Sequence, residues 1–172
     1  MNKEKYFEIL IKGFEELPMR AKSLILEHKT LDEKFLSNVI CDISVSNIKS
    51  PIEKIFLVAF YIHTKEKFIY IDSQKKIECN EKIYYVDFTI EYDDYVNYFL
   101  PYDFKLAIEC DGYNFHQKTK EQVDNDNQRE FDLKMCGYNV LRFSGREIFN
   151  TPMECVKKIT DYLEYKIKKG MV

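Results

Sequence analysis

The sequence predicts an α+β fold in which helices cover a central mixed sheet of four strands. Apolar residues recur at helical spacing near both ends of the chain, and strand-like alternation occupies its middle. The predicted order is helices, a three-strand antiparallel meander, then helix, strand and helix. A chain of 172 residues with 13 Phe and 13 Tyr can bury a large core, so we expect one domain of ordinary size.

Residues 1–48 are predicted to form a helical segment that packs on the main domain, residues 49–172. The first helix ends at Pro18 and carries an apolar stripe at helical spacing: Tyr6, Ile9, Leu10, Phe14 and Leu17. Thr30 and the three residues after it have the sequence of a capping box, which predicts a further helix from Thr30 through Val39. No residue in this segment suggests chemistry.

Ser50 is predicted to open the next helix, with Pro51 at its first helical position and an apolar run through Ile62. Two strands are expected after it, at residues 68–71 and 82–91. In the second of these, apolar residues alternate with others: Tyr84, Val86, Phe88 and Ile90.

The acidic and aromatic stretch 92–101 is predicted to be an elaborated turn or a short extra hairpin. A strand follows at 105–111. The composition of residues 118–136 is typical of a helix, and its predicted apolar anchors are Val123, Phe131 and Met135. The last elements are a strand at 138–143 and an amphipathic helix at 152–168.

Composition and charge exclude several classes of protein. The longest apolar run, Ile55 to Ile62, is 8 residues long, whereas a membrane span needs ~20. The N-terminus does not resemble a signal peptide, so we expect a cytoplasmic protein with no membrane partner. The net charge of −3, from 26 basic and 29 acidic residues, differs from that of a dedicated DNA-coating protein. A locally positive face would still permit nucleic-acid binding.

The five cysteines lie at long spacings: Cys41, Cys79, Cys110, Cys136 and Cys155. This dispersed, odd-numbered set predicts reduced cytosolic thiols with mostly structural roles. A zinc site would need clustered Cys or His ligands, which the sequence lacks.

Three carboxylates are predicted to converge at one end of the sheet. Asp87 interrupts an apolar strand, and Glu109 and Asp111 lie near the end of the next one. Side chains alternate along a strand, so Glu109 and Asp111 share one face and Cys110 lies on the other. Carboxylates so placed repel each other unless a cation lies between them, and Mg²⁺ or Mn²⁺ prefers such oxygen ligands. Alternatively, each acid is half-exposed or paired with a Lys or Arg.

His116 follows this strand after a tight turn, which would bring it back towards the acids. There it could relay protons or hold a phosphate, or it could be a surface histidine near a turn. Arg129 lies on a predicted helix and Arg142 on the last strand, where each could pair with the carboxylates or bind phosphate bidentately. For Arg129, a surface ion-pair ladder with Asp126 and Asp132 is a further interpretation.

In order and spacing, these residues resemble the PD-(D/E)xK restriction-endonuclease-like nucleases, most closely the branch of the very-short-patch-repair endonucleases. The resemblance runs from Ser50 to Leu163 and implies a restriction-endonuclease-like core with an N-terminal helical extension. Its motifs are Ser-Pro-Ile-Glu ending at Glu53, Val-Asp-Phe around Asp87, Glu-Cys-Asp-Gly from Glu109 with His116 after it, Asp126 with Arg129, and Val-Leu-Arg-Phe around Arg142.

The resemblance implies a Mg²⁺-dependent endonuclease that hydrolyses DNA phosphodiester bonds, with Mn²⁺ able to replace Mg²⁺. Asp87 and Glu109 would hold the metal, which would lower the pKa of a water and stabilise charge on the phosphate. His116 would assist proton movement, with Asp111 as the alternative. One of the two arginines would steady the phosphate.

Two features depart from the pattern of the superfamily. Its characteristic lysine, two residues after the acid Glu109, is Asp111 in this chain, as is usual for this branch. Lys105 shares the face of Glu109 but lies ~13 Å away along the strand, too far to act in its place. The stretch 92–101 lengthens a connection that is normally short and could reshape substrate access.

Glu53 has two competing interpretations. It stands three residues after Ser50, where its side chain can complete a capping box. The resemblance instead assigns Glu53 to the metal site, either as a ligand or through a bound water.

Two other functions stay open at this point. Because folds are reused without their chemistry, the chain could be a nuclease-fold protein that binds nucleic acid or a protein partner without cutting. It could also be a nuclease that acts on RNA.

Overall fold

Helices precede and follow a central sheet in the computed structural model, which describes residues 3–30, 32–67, 69–112 and 119–170. Its helices are α1 (Lys3–Glu15), α2 (Met19–Glu27), α3 (Glu33–Val45), α4 (Pro51–Thr64), α5 (Lys120–Met135), α6 (Gly145–Asn150) and α7 (Pro152–Gly170). Its strands are β1 (Asp72–Cys79), β2 (Lys82–Glu91), β3 (Lys105–Asp111) and β4 (Asn139–Ser144). None of these helices combines the length and the hydropathy needed to cross a membrane.

The strands form one mixed sheet in the order β1-β2-β3-β4. β1, β2 and β3 are successive antiparallel neighbours. The chain then passes through α5 and returns as β4, which pairs parallel to β3. The predicted α+β fold, with its mixed four-stranded sheet and three-strand meander, is therefore confirmed.

Each face of the sheet has its own apolar core. On one face, α2, α3, α4 and α7 pack in a large cluster that includes Leu24, Val39, Phe56 and Phe88, each at most 1% exposed. On the other face, α5 contributes Leu133 to a smaller cluster with residues of β1, β2 and β3. The N-terminal helices thus share the main cluster, and the predicted domain boundary at residue 48 stays a prediction.

The first strand lies later in the chain than the sequence predicts. Residues 69–71 are irregular, and β1 begins at Asp72 and ends at Cys79, so the predicted strand at 68–71 is wrong. The sequence of β1 is Asp-Ser-Gln-Lys-Lys-Ile-Glu-Cys, which lacks the apolar alternation of a half-buried strand. It is extended because its backbone pairs with β2, a tertiary effect that outweighs local propensity.

The N-terminus of α3 also differs from the prediction. Asp32 is the N-cap, and its Oδ1 accepts a hydrogen bond from the backbone N–H of Phe35 at 2.8 Å. The Thr30 hydroxyl instead donates to the carbonyl of Ile25. The predicted cap at Thr30 is wrong because Asp32, two residues later, offers a side-chain acceptor at the N-cap position. The helix continues to Val45, beyond its predicted end.

The predicted apolar anchors of α5 are wrong. Val123, Phe131 and Met135 are 44%, 57% and 66% exposed, whereas Asp132 and Leu133 are 3% and 0% exposed. Helix α5 packs on the sheet through the buried Asp132 as well as through Leu133. The Asp132 carboxylate accepts hydrogen bonds from Tyr84 (2.5 Å), Gln128 (2.9 Å), Lys82 (3.0 Å) and Asn80 (3.3 Å).

The cysteines depart from expectation as well. Cys79 at the end of β1 and Cys136 just after α5 form a disulfide, with their Cα atoms 6.0 Å apart. The expectation of five reduced thiols is therefore wrong for this pair, and Cys41, Cys110 and Cys155 are free. The spacing of the cysteines did not predict this disulfide because Cys79 and Cys136 are 57 residues apart and only the fold brings β1 and the end of α5 together.

The loop 92–104 contains bends and turns but no strand, so the turn form of the prediction is right. It joins the end of β2 to the start of β3. Glu109 lies near the opposite end of β3, ~13 Å from its start. The loop therefore joins β3 at the end away from the predicted acids, and its predicted effect on substrate access stays a prediction.

Candidate active site

Asp87 lies where the hydrogen-bonded ladder between β2 and β3 ends. Its side chain replaces the backbone acceptor that a longer ladder would provide. The antiparallel ladder between these strands runs from Glu91 to Phe88, which pairs with Ile108. One residue further, the Asp87 Oδ2 accepts the backbone N–H of Cys110 at 2.7 Å. The side chain is thereby held in a fixed position at the end of the ladder.

Glu109 lies on the α5 face of β3 and is 7% exposed. Its Oε1 is 2.8 Å from Nη2 of Arg129 on α5. Cys110 packs against the core on the opposite face, as the alternation along β3 predicts. A carboxylate this deeply buried needs a cationic partner, and Arg129 supplies one within the chain.

Asp111 ends β3 beside β4. Because the two strands are parallel, Arg142 of β4 pairs in register with Glu109, and its Nε lies 3.6 Å from Oδ2 of Asp111. Nη1 of the same guanidinium lies 3.8 Å from Oδ2 of Asp126 on α5. Arg142 thus connects the end of the sheet with the first half of α5.

Glu53 points into the same cluster from the first turn of α4. The Ser50 hydroxyl caps this helix by accepting the backbone N–H of Glu53 at 3.4 Å. The Glu53 Oε2 accepts a hydrogen bond from Nε2 of Gln74 at 2.7 Å, a contact that a simple capping box does not predict. Burial raises the pKa of Glu53, and the nearby charge of Glu109 adds to the rise.

Gln74 is a site residue that the sequence analysis missed. It lies in β1 between Ser73 and Lys75, which pair with Phe88 and Val86 on either side of Asp87. Its φ of +55° lies in the left-handed region, where a non-glycine residue costs about 1 kcal/mol or more. No local signal marks it, because β1 itself lacks a strand pattern.

The carboxylates raise one another's proton affinity. Burial raises the pKa of Asp87 to about 6; the Cys110 N–H opposes the rise, and the Glu53 charge adds to it. Burial also raises the pKa of Glu109, against the neighbouring Arg129 cation. These shifts are typical of acids gathered at a functional site.

Arg129 makes three contacts across the α5 face of the sheet. Its Nη2 reaches Glu109 and also donates to the backbone carbonyl of Tyr85. Its guanidinium carbon lies 5.7 Å from the centre of the Tyr84 ring. The predicted surface ladder with Asp126 and Asp132 is therefore wrong, since Arg129 turns inwards to the sheet.

Two guanidinium nitrogens at the site lack a hydrogen-bond acceptor among the described residues. Nε of Arg129 and Nε of Arg142 are buried, and neither makes a hydrogen bond to the residues that the structure describes. A buried donor without an acceptor costs free energy. Both nitrogens lie beside the carboxylate cluster, where an anionic group of a ligand could accept from them.

The donor set fits a hard divalent cation. Within the described residues no group of three or more His, Cys, Asp or Glu side chains is arranged to hold a metal. Mg²⁺ commonly needs only one or two carboxylates, with waters and substrate phosphates completing its shell. Asp87 and Glu109 supply two carboxylates whose pKa values are raised, chiefly by burial, and a bound cation would offset the cost of ionising them there.

The predicted site residues thus fall into two groups. His116 lies outside the described residues, so its predicted role stays a prediction. The others come together at one end of the sheet: Glu53, Asp87, Glu109, Asp111, Arg129 and Arg142.

A family model described as REase_MTES_1575 matches residues 70–163, more than half of the chain. The chain belongs to this restriction endonuclease-like family. The REase_MTES_1575 match runs from just before β1 into α7 and includes Asp87, Glu109, Arg129 and Arg142. The match supports the assignment of the chain to the PD-(D/E)xK superfamily in the broad sense. No curated protein and no solved structure matches the chain.

Proposed function

We propose that the protein is a metal-dependent endonuclease that hydrolyses DNA phosphodiester bonds. The observation that carries this proposal is the buried pair Asp87 and Glu109, set beside two arginines on the core of a restriction endonuclease-like family. Buried acids with raised pKa values destabilise a fold, so their gathering at one point is better explained by function than by stability.

Asp87 and Glu109 would hold the metal, for which Mg²⁺ is the proposed ion and Mn²⁺ a substitute. When bound, such an ion lowers the pKa of a water and offsets the charge that develops on the phosphate. Glu53 would keep its charge next to this pair, with Gln74 fixing the orientation of its carboxylate at 2.7 Å.

The arginines would bind the phosphate. Arg142 is held between Asp111 and Asp126 by long contacts of 3.6 and 3.8 Å, which leave its planar donors available for bidentate contacts. Arg129 would contribute its Nε, which has no hydrogen-bond partner among the described residues. His116, which follows Glu109 in the motif, is the proposed group for proton movement, and Asp111 is the alternative.

The motifs also favour a branch within the superfamily. Asp111 stands where other PD-(D/E)xK nucleases have a lysine, and the very-short-patch-repair branch shares this change. We therefore propose that the chain resembles that branch in its chemistry, with proton movement independent of a lysine.

Plasmid cleavage tests the proposal. Purified protein is incubated with supercoiled plasmid, single-stranded DNA and RNA, each with Mg²⁺, Mn²⁺ or EDTA. We expect metal-dependent nicking of the plasmid, absent in EDTA and in the Asp87→Asn variant. Asp161→Asn, which neutralises an exposed acid on α7, serves as the matched control and should cut normally.

The same assay separates the remaining functions. Preferential digestion of RNA would show that the substrate is RNA and not DNA. Metal-independent binding to DNA with no cleavage under any condition would instead favour a nuclease fold that has lost its chemistry.

A further inference from the structure

An acidic cavity lies where β1 begins and β2 ends. Its volume is about 220 Å³, and its wall includes Asp72, Glu91, Asp93 and Lys75. Three carboxylates against one ammonium leave a formal charge of −2. Glu91 stands four residues beyond Asp87 on β2, which corresponds to ~13 Å. Thr89 of the cavity wall is only two residues from Asp87, so the cavity borders the candidate active site, but Glu53, Asp87, Glu109 and Asp111 do not line it.

One lysine of the chain already lies between two of these carboxylates. Lys75 Nζ is 2.9 Å from Oε1 of Glu91 and 4.0 Å from Oδ2 of Asp72. Its side chain comes from the edge strand β1 and is about one-third exposed. The carboxylates thus attract a primary ammonium group within the fold, and their charge exceeds what Lys75 can balance.

Thr89 supplies an independent sign that the cavity takes a ligand. It is 1% exposed and lines the same cavity as Glu91. Its hydroxyl Oγ1 is buried and finds no hydrogen-bond partner in the part of the chain that the structure describes. Buried hydroxyl groups normally have a hydrogen-bond partner, so the Thr89 hydroxyl indicates that a ligand supplies one. A hydroxyl oxygen and carboxylates together form a set of acceptors, which suits a ligand rich in N–H donors.

The loop 92–104 contributes Tyr92, Asp93, Val96 and Asn97 to the wall of the cavity, and hydrogen bonds anchor it. Asn97, 1% exposed, accepts the backbone N–H of Tyr70 at 2.9 Å and donates to the carbonyls of Tyr70 and Glu91. The loop nevertheless exposes three aromatic side chains: Tyr95 (90%), Tyr98 (69%) and Tyr102 (78%). Tyrosines on an ordered loop offer a large contact area at low entropic cost, as they do in protein-binding surfaces.

We propose that this surface binds a basic polypeptide segment of a partner protein and that an arginine or lysine of the segment enters the acidic cavity. The negative charge of the cavity attracts such a side chain and repels nucleic-acid phosphates. The exposed tyrosines pack on the rest of the segment. The candidate active-site acids do not line the cavity, and the proposal does not depend on nuclease activity.

A peptide titration tests this proposal on the full chain. The probe is the peptide Gly-Ser-Arg-Gly-Ser-Arg-Gly, followed by amide NMR shifts at about 0.15 M salt. We expect shifts at Thr89 and Asn97 that saturate. The matched peptide with citrulline in place of each arginine should not bind. Equal binding of the two peptides, or no saturable binding of the arginine peptide, would overturn the proposal.

Variants with opposite expected effects sharpen the test. Glu91→Gln keeps the acceptor for the Tyr138 hydroxyl but removes a charge, so we expect Kd to rise about threefold or more. Lys75→Met removes the competing ammonium and should lower Kd by a similar factor. Tyr95→Ala should weaken binding, whereas Glu78→Gln, an exposed charge elsewhere on β1, should not.

Two results would contradict the assignment of the cavity. Weaker binding by Lys75→Met would mean that the carboxylates do not contact the probe. Binding of free argininamide as tight as that of the peptide would mean that the exposed tyrosines contribute nothing, and the polypeptide partner would have to be abandoned.

Discussion

At the scale of single residues, the candidate site depends on charges whose burial costs the fold free energy. Asp87 has a pKa of about 6 in the folded chain, against an ordinary value of 3.8. A raised pKa means that this group destabilises the fold once it ionises, so its unfavourable contribution grows as the pH rises from about 3.8 to about 6 and is fully present above that.

Asp87→Asn should therefore stabilise the metal-free protein while abolishing cleavage. The amide keeps an oxygen for the Cys110 N–H but carries no charge. We expect a gain of about 1–2 kcal/mol in the free energy of unfolding at pH 8, and almost no gain at about pH 2.5, where the carboxyl is protonated in both the folded and the unfolded chain. Urea denaturation in EDTA at the two pH values measures this, and a variant that is less stable at pH 8 contradicts it.

Glu53→Gln separates the helix cap from the site acid. Glutamine keeps an oxygen for Gln74 and leaves the Ser50 cap intact, so we expect nearly unchanged stability. Loss of the charge should weaken Mg²⁺-dependent cleavage by about 10-fold or more, since a divalent cation needs that charge nearby. Glu33→Gln, in the first turn of α3, is the matched control. Wild-type cleavage across a Mg²⁺ titration would remove Glu53 from the site.

Arg129 is predicted to compete with the metal for Glu109. Its Nη2 lies 2.8 Å from the carboxylate, so Arg129→Gln should bind Mn²⁺ about threefold tighter or more at pH 8. Calorimetric titration measures this without any cleavage. Cleavage itself should slow, because a phosphate ligand is lost. Arg146→Gln, an exposed arginine on α6, should change neither quantity.

At the scale of elements, α5 is the part of the fold that sequence patterns describe least well. Its outward face carries apolar side chains, and its inward face carries Arg129 and Asp132. Asp132 receives donors from the β1–β2 hairpin, and the disulfide of Cys79 with Cys136 joins the same two elements. The helix that supplies Arg129 is therefore held by polar and covalent contacts.

Asp132→Ala should loosen α5 and slow cleavage without touching the acids. Hydrogen bonds from Tyr84 and Lys82 lower the pKa of Asp132. Its stabilising contribution is thus present above pH ~4 and is lost as the pH falls towards its folded value. We expect a melting temperature several degrees lower at pH 7 and a smaller difference near pH 3. Asp124→Ala, exposed on the same helix, is the control; equal melting temperatures of Asp132→Ala and the wild type would contradict the role of Asp132.

At the scale of the whole molecule, the N-terminal helices and the sheet share one apolar cluster. Leu24 of α2 is 1% exposed and belongs to the same cluster as Phe56 of α4 and Phe88 of β2. Shared burial of this kind favours cooperative unfolding. It also means that substitutions in the N-terminal segment can affect the sheet that carries the site.

Leu24→Ala should destabilise the whole chain by about 2–4 kcal/mol in a single unfolding transition. Circular dichroism and tyrosine fluorescence should give coincident urea curves. Leu26→Ala, on the exposed side of the same helix, should cost little. Two separate transitions, with only the first affected by Leu24→Ala, would show that residues 1–48 unfold on their own.

The sequence by itself determined the fold class, the meander, and the acids that the structure brings together. Alternation along β3 placed Glu109 and Asp111 on one face with Cys110 on the other, because strand periodicity is a local property. The apolar strand around Asp87 and the cap at Ser50 were readable for the same reason.

Only the tertiary structure decided where β1 lies, how α5 packs and which charges pair. β1 is polar and is extended only through its partner strand. Gln74 reaches Glu53, and Arg129 reaches Glu109 rather than its helix neighbours. These contacts join residues far apart in the chain, so no local spacing encodes them. Their partners are chosen by burial and by the need of buried charges for counter-charges, which exist only once the sheet has formed.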